Sequence, residues 1–149
     1  NNTIFTVGVQ TDNRIVIGGK FTQVAGTARK YIARLNTNGS IDTGLNPDVN
    51  GYVLAIEFQH YIALGVPRQN ILLAGWFSQV NSQNQNYIAR LLYNGIFDSS
   101  FTPFVGSPAP IFSITRERSS SFFIGGGFGS NNGLYYIGYY TSDGSIIEI

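Results

Sequence analysis

The chain has 149 residues, enough for a domain that buries about two-thirds of the surface its unfolded form would expose. Charged residues make up only 11%, and nine Lys and Arg against eight Asp and Glu give a net charge of +1, leaving no field to steer nucleic acid or an anionic membrane. The absence of cysteine excludes disulfides, thiolate chemistry and cysteine-held metals, and no run approaches the roughly 20 apolar residues of a helical membrane span.

Taken in chain order, the apolar and β-branched runs are short and broken by Gly, Asn and Pro, which predicts strands and turns with no helical period. Strands are expected at about Phe5–Gln10, Arg14–Phe21, Tyr31–Asn36 and Ser40–Asn46. A second set follows at Val53–Gln59, Asn70–Phe77, Tyr87–Leu92 and Ile96–Thr102, and a third at Ile111–Arg116, Ser121–Phe128, Tyr136–Thr141 and Ser145–Ile149.

These sets are copies of one unit. YIARL occurs at Tyr31–Leu35 and again at Tyr87–Leu91, with a weaker YIGYY at Tyr136–Tyr140; IGGKF, LAGWF and IGGGF precede them, ending at Phe21, Phe77 and Phe128. Turns follow at Asn38-Gly39, Asn94-Gly95 and Asp143-Gly144. Gln10 and Gln59 are 49 residues apart but the YIARL copies are 56 apart, so the second copy carries seven extra residues, placed in a surface loop at His60–Gln69. Its Tyr61, Ile62, Leu64 and Val66 make a packing or partner contact the alternative to a bland excursion.

Tandem four-stranded antiparallel units of about this length imply an all-β fold of β-propeller blades. The expected blades are about 1–51, 52–108 and 109–149. Propellers close with four to eight blades, so three are part of a larger or assembled propeller: either a segment of a longer chain or one of several copies that combine. The lack of any methionine means that Asn1 is not a translational start, which favours the segment.

A three-residue hairpin loop ending in a left-handed glycine sets the register after YIARL. It places Leu35 opposite Ile41 and Arg34 opposite Asp42, then Leu91 opposite Phe97 and Arg90 opposite Asp98. In the third copy Tyr140 meets Ile146 and Tyr139 meets Ile147, so Arg and Asp are lost together, as members of a structural cross-strand pair should be.

The stretches Gly18–Pro47 and Ala74–Pro103 closely resemble the delta-60 repeat, found in large bacterial surface and secreted proteins and in some phage proteins. The resemblance implies a β-propeller and brings no catalytic residues. It weakens at YIGYY and at the terminal SIIEI.

No other constellation points to chemistry. His60 is the single histidine and reads as a loop residue, and the eight carboxylates are scattered. The GG pairs sit inside strands with no following helix, where they serve close backbone approach rather than phosphate binding. Trp76 occupies a slot held by Lys20 and Gly127 in the other copies, so it faces solvent or a sheet edge. It and Tyr139, within the Tyr135, Tyr136, Tyr139 and Tyr140 cluster, are candidates for stacking on a ligand, against packing on a neighbouring blade.

The expectation is a non-enzymatic structural and interaction module of a large extracellular, cell-surface or virion-associated protein, of the adhesin or phage-tail kind, with no cofactor. Its partners would be further blades of the same parent chain or a second copy, with a cell-surface glycan or protein receptor beyond them. A lectin-like propeller is the alternative, and a non-catalytic part of a propeller enzyme the second.

Overall fold

A computed structural model describes residues 2–103, 105, 109–117, 121–127 and 137–147. The strands are β1 (Ile4–Val9), β2 (Ile15–Gly19), β3 (Gln23–Val24), β4 (Thr27–Ala28), β5 (Ile32–Leu35), β6 (Tyr52–Ala63) and β7 (Val66–Trp76). They continue as β8 (Gln79–Val80), β9 (Gln83–Asn84), β10 (Ile88–Leu91), β11 (Ile111–Arg116), β12 (Phe122–Gly126), β13 (Ile137–Tyr140) and β14 (Ile146–Ile147). No helix occurs among the described residues, and therefore none long and apolar enough to cross a membrane.

Three antiparallel sheets carry the fold, ordered β1-β2-β5, β6-β7-β10 and β11-β12-β13-β14. Their registers are superimposable: Ile15 pairs with Leu35, Ile71 with Leu91, and Phe122 with Tyr140. A bulge recurs in each first strand, between Ile4 and Thr6, Val53 and Ala55, and Ile111 and Ser113.

Among the described residues a fourth strand forms only in the third sheet, as the two-residue β14. In the first two, the strands expected at Ser40–Asn46 and Ile96–Thr102 reduce to single bridges, Leu35–Ile41 and Leu91–Phe97. The reason is local: Asp42 Oδ1 accepts from Gly44 N, and Asp98 Oδ1 from Ser100 N, turning the backbone away from the ladder. The hairpin loops before them close as their glycines allow, Gly39, Gly95 and Gly144 standing at φ +83°, +87° and +96°.

Other expectations need correction. The inserted residues form no loop: they lengthen β6 and β7 into one long hairpin, with His60 in the strand and a two-residue turn at Leu64-Gly65. Period-two alternation hides such an extension when exposed apolar residues occupy it. The linkers after Phe21 and Phe77 are also not bare, since each folds as a small hairpin, β3-β4 and β8-β9, turned through left-handed Ala25-Gly26 and Asn81-Ser82. Tyr31 and Tyr87 were expected as first strand residues, but both sit just before the strand at φ 65°. The Tyr31 N–H donates to the Phe21 carbonyl while its own carbonyl accepts from Gly19 N, and Tyr87 repeats this with Phe77 and Gly75. Phe128, Tyr135, Tyr136 and Ile149 lie outside the described residues.

The sheets stack in chain order, β6 packing against β1 and β2 and β11 against β6 and β7. One core lies between the first and second sheets, where Val16 and Ile32 meet Phe58, Ile71, Leu73 and Leu91. The next lies between the second and third, where Leu72, Ala74 and Ile88 meet Ile111, Ile114, Phe122 and Tyr140. Both faces of the middle sheet are thus covered, which is why its central strand reads ILLA without alternation.

Each sheet has a front, facing its predecessor, and a back, facing its successor. Gly8 on the back of β1 shows how close they come: a Cβ there would lie 2.6 Å from Phe58 Cε2 on the front of β6.

Candidate functional site

Arg34 and Arg90 leave the backs of their sheets at equivalent positions, and both guanidinium groups are already spoken for. Arg34 Nε lies 2.7 Å from Asp42 Oδ2, and Arg90 Nε lies 2.8 Å from Asp98 Oδ2. Each also crosses to the following sheet: Arg34 Nη1 donates to the Tyr93 carbonyl at 2.8 Å and Arg90 Nη1 to the Ser142 carbonyl at 2.6 Å. Tyr93 and Ser142 hold the same place in successive hairpin loops. The arginine therefore ties a strand pair within one sheet to the turn of the next, and Gln10 and Gln59 complete the set at 3.4 and 3.2 Å from Nη1.

The carboxylates are tuned to match. Burial pushes Asp42 up, but the hydrogen bonds from Gly44 N, Arg14 and Arg34 outweigh it and leave its pKa below the ordinary 3.8. Asp98 ends below its ordinary value in the same way, burial being overcome by Ser100 and Arg90.

The third sheet has no arginine at this place. Tyr139 stands there, opposite Ile147, and its hydroxyl donates to Glu117 Oε2, Glu117 being the positional equivalent of Gln10 and Gln59. Its ring stacks on Phe123 with centroids 4.3 Å apart. Tyr139 is thus engaged by its own sheet.

Trp76 ends β7 opposite Tyr52 and is 62% exposed. Tyr139 is on the back of the third sheet, so the two candidate stacking residues are not brought together.

A cleft of about 390 Å³ opens instead between the second and third sheets at the far end of β6 from Trp76. Gln59, His60, Tyr61, Asn70, Arg90 and Asp143 line it. The long hairpin supplies one wall, and the Asp143-Gly144 turn the other. Asp143 is ionised, its pKa held at about 2 by the hydrogen bonds from the Thr141 hydroxyl and the Ser145 backbone. His60 sits 3.1 Å from Gln69 Nε2 through its own Nε2, and partial burial with the Arg116 charge lowers its pKa, so it is neutral at pH 7. Asn70 Oδ1 is buried with no hydrogen-bond partner. Sequence reasoning missed this site because its walls come from an insertion and a turn that the repeat pattern does not pair.

The corresponding gap between the first and second sheets is occupied by charged and polar side chains. Asn70 is replaced there by Arg14, whose Nη1 lies 2.9 Å from Asp42 Oδ2 and whose Nη2 lies 2.7 Å from Asp12 Oδ2. Thr11 closes the remainder, donating from its backbone N to Gln69 Oε1. Among the described residues no three His, Asp or Glu side chains gather as a metal site.

The family model of a domain of unknown function (DUF5122), described as a beta-propeller, matches residues 10–45 and 70–101. Each matched stretch contains one YIARL and the strand paired to it. No curated protein and no solved structure matches the chain.

Proposed function

We propose that the chain is a non-enzymatic structural and interaction module, three blades of a propeller built from delta-60-type repeats, whose two end faces are each covered by a further sheet of the same kind. The observation that carries this reading is the polarity of the stack. On the front of the first sheet Val7 and Val9 are 61% and 59% exposed, at the positions where Ile56 and Phe58 pack in the second. On the back of the third, Ile137 is 55% exposed, whereas its equivalents Ile32 and Ile88 are fully buried in the two cores. The back of one sheet packs on the front of the next at both internal junctions, so the two ends are complementary to each other rather than to themselves.

The partner is a flanking repeat of a parent chain or a second copy of this one. The low charge and a polar surface built of Asn, Gln, Ser and Thr fit an extracellular, cell-surface or virion setting, with roles of the adhesin or phage-tail kind. Sedimentation of the 149-residue chain tests the reading. Association that Val9→Asp abolishes supports it; a chain that stays monomeric and folded at every concentration overturns it.

A further inference from the structure

We infer that the cleft between the second and third sheets is a binding subsite for a neutral, polyhydroxylated ligand, a saccharide unit. It lies wholly within this chain, so the inference stands whatever covers the end faces.

The cleft has a structural origin that the other gap lacks. Two features make it: the shortening of Arg14 to Asn70 at one repeat position, and the lengthened β6-β7 hairpin, which raises His60 and Tyr61 above the sheet. Its volume of about 390 Å³ is within the range of small-ligand sites, about 300–1,000 Å³.

The lining decides the ligand class by elimination. An anion is disfavoured, because the Arg90 charge is already matched by Asp98 and the cleft itself carries the ionised Asp143. An apolar ligand would strip water from the Asp143 carboxylate with nothing to replace it. A hydroxylated ring satisfies both conditions: its hydroxyls can donate to the exposed Asp143 carboxylate, and its apolar face can lie on Tyr61.

The test is ligand-observed NMR, followed by calorimetry, with D-glucose, D-galactose, D-mannose and N-acetyl-D-glucosamine as probes. Two variants accompany the wild type. Asn70→Arg introduces the side chain that the first gap carries at Arg14, with Asp98 in the place of its partner Asp42, and fills the cleft; Tyr61→Ala removes the platform and leaves the core alone. The expected result is saturation transfer to at least one sugar, weakened about 10-fold or more by each variant, with the Asn70→Arg melting temperature no lower than wild type. Transfer to none of the four, or binding unchanged in both variants, overturns the inference.

Discussion

Arg34 and Tyr93 belong to different sheets, 59 residues apart in sequence, yet Arg34 Nη1 donates to the Tyr93 carbonyl at 2.8 Å while Nε holds Asp42. Arg90 makes the same reach to Ser142. The pair expected from hairpin register is therefore only half of what the arginine does. Its other half joins successive sheets, which a register argument confined to one hairpin cannot reveal.

This double role sets a first expectation. Arg90→Ala removes the partner of Asp98, the bonds to Gln59 and Ser142, and the guanidinium stacked 4.6 Å above the Phe101 ring. Leaving Asp98 unpaired in a mostly buried setting should cost about 3 kcal/mol, read as a lower urea midpoint at unchanged m-value. Arg90→Lys keeps the charge but not the fork that reaches Asp98 and Ser142 together, and should lose about half as much. An Arg90→Ala midpoint equal to wild type would show that the inter-sheet contact contributes nothing.

The acid response follows from the same residues. Asp42 has a folded pKa below its unfolded value, so its contribution to stability is present above about pH 4 and is lost as pH falls through the folded value. Melting temperature should fall more steeply below about pH 4 in wild type than in Asp42→Asn. Parallel curves for the two proteins would contradict this.

Tyr31 and Tyr87 hold left-handed backbone that costs a non-glycine residue about 1–2 kcal/mol, and the reward is an aromatic ring turned into the core edge, where Tyr31 meets Tyr52 at 5.7 Å. A β-branched side chain tolerates that backbone worst. Tyr31→Val should lose about 2–4 kcal/mol, whereas Tyr31→Phe, which keeps the ring, should change stability by less than about 0.5 kcal/mol. Calorimetric scans of the two variants separate backbone strain from hydroxyl loss.

Much of the fold was legible because its signals are local. Asn-Gly and Asp-Gly turns, with Gly39, Gly95 and Gly144 at positive φ, specify the third-to-fourth strand registers from five residues each. What escaped was set elsewhere. The fourth strands shrink to Leu35–Ile41 and Leu91–Phe97 because Asp42 and Asp98 bend the chain after them. The β3-β4 and β8-β9 hairpins turn through Ala25 and Ser82, residue types that do not advertise left-handed backbone. The cleft depends on Asn70 facing Asp143 across two sheets, a relation between residues 73 apart that only the stacking creates.

Leu64 offers a test of the long hairpin. It is fully exposed, at φ 51° in the turn to Gly65, where Asn is favoured and Leu is strained. Leu64→Asn should stabilise the protein by about 0.5–1 kcal/mol and slow any aggregation, as followed by melting temperature and light scattering. A loss of stability would mean that the Leu64 side chain is buried by something it meets in solution.

The stack of sheets is polar, so that its two end faces complement each other. At the first internal junction the back of β1 at Gly8 touches the front of β6 at Phe58; at the second, Glu57 Oε2 accepts from Arg116 N. The same positions at the free ends are Thr115 on the back of β11 and Val9 on the front of β1. The chain has no cysteine, so Val9→Cys and Thr115→Cys can be introduced singly and together without background. Head-to-tail association predicts that under mild oxidation the two single variants, mixed, cross-link to each other, and that neither cross-links to itself. Cross-links of Val9→Cys to Val9→Cys, or none in any combination, would rule out head-to-tail association.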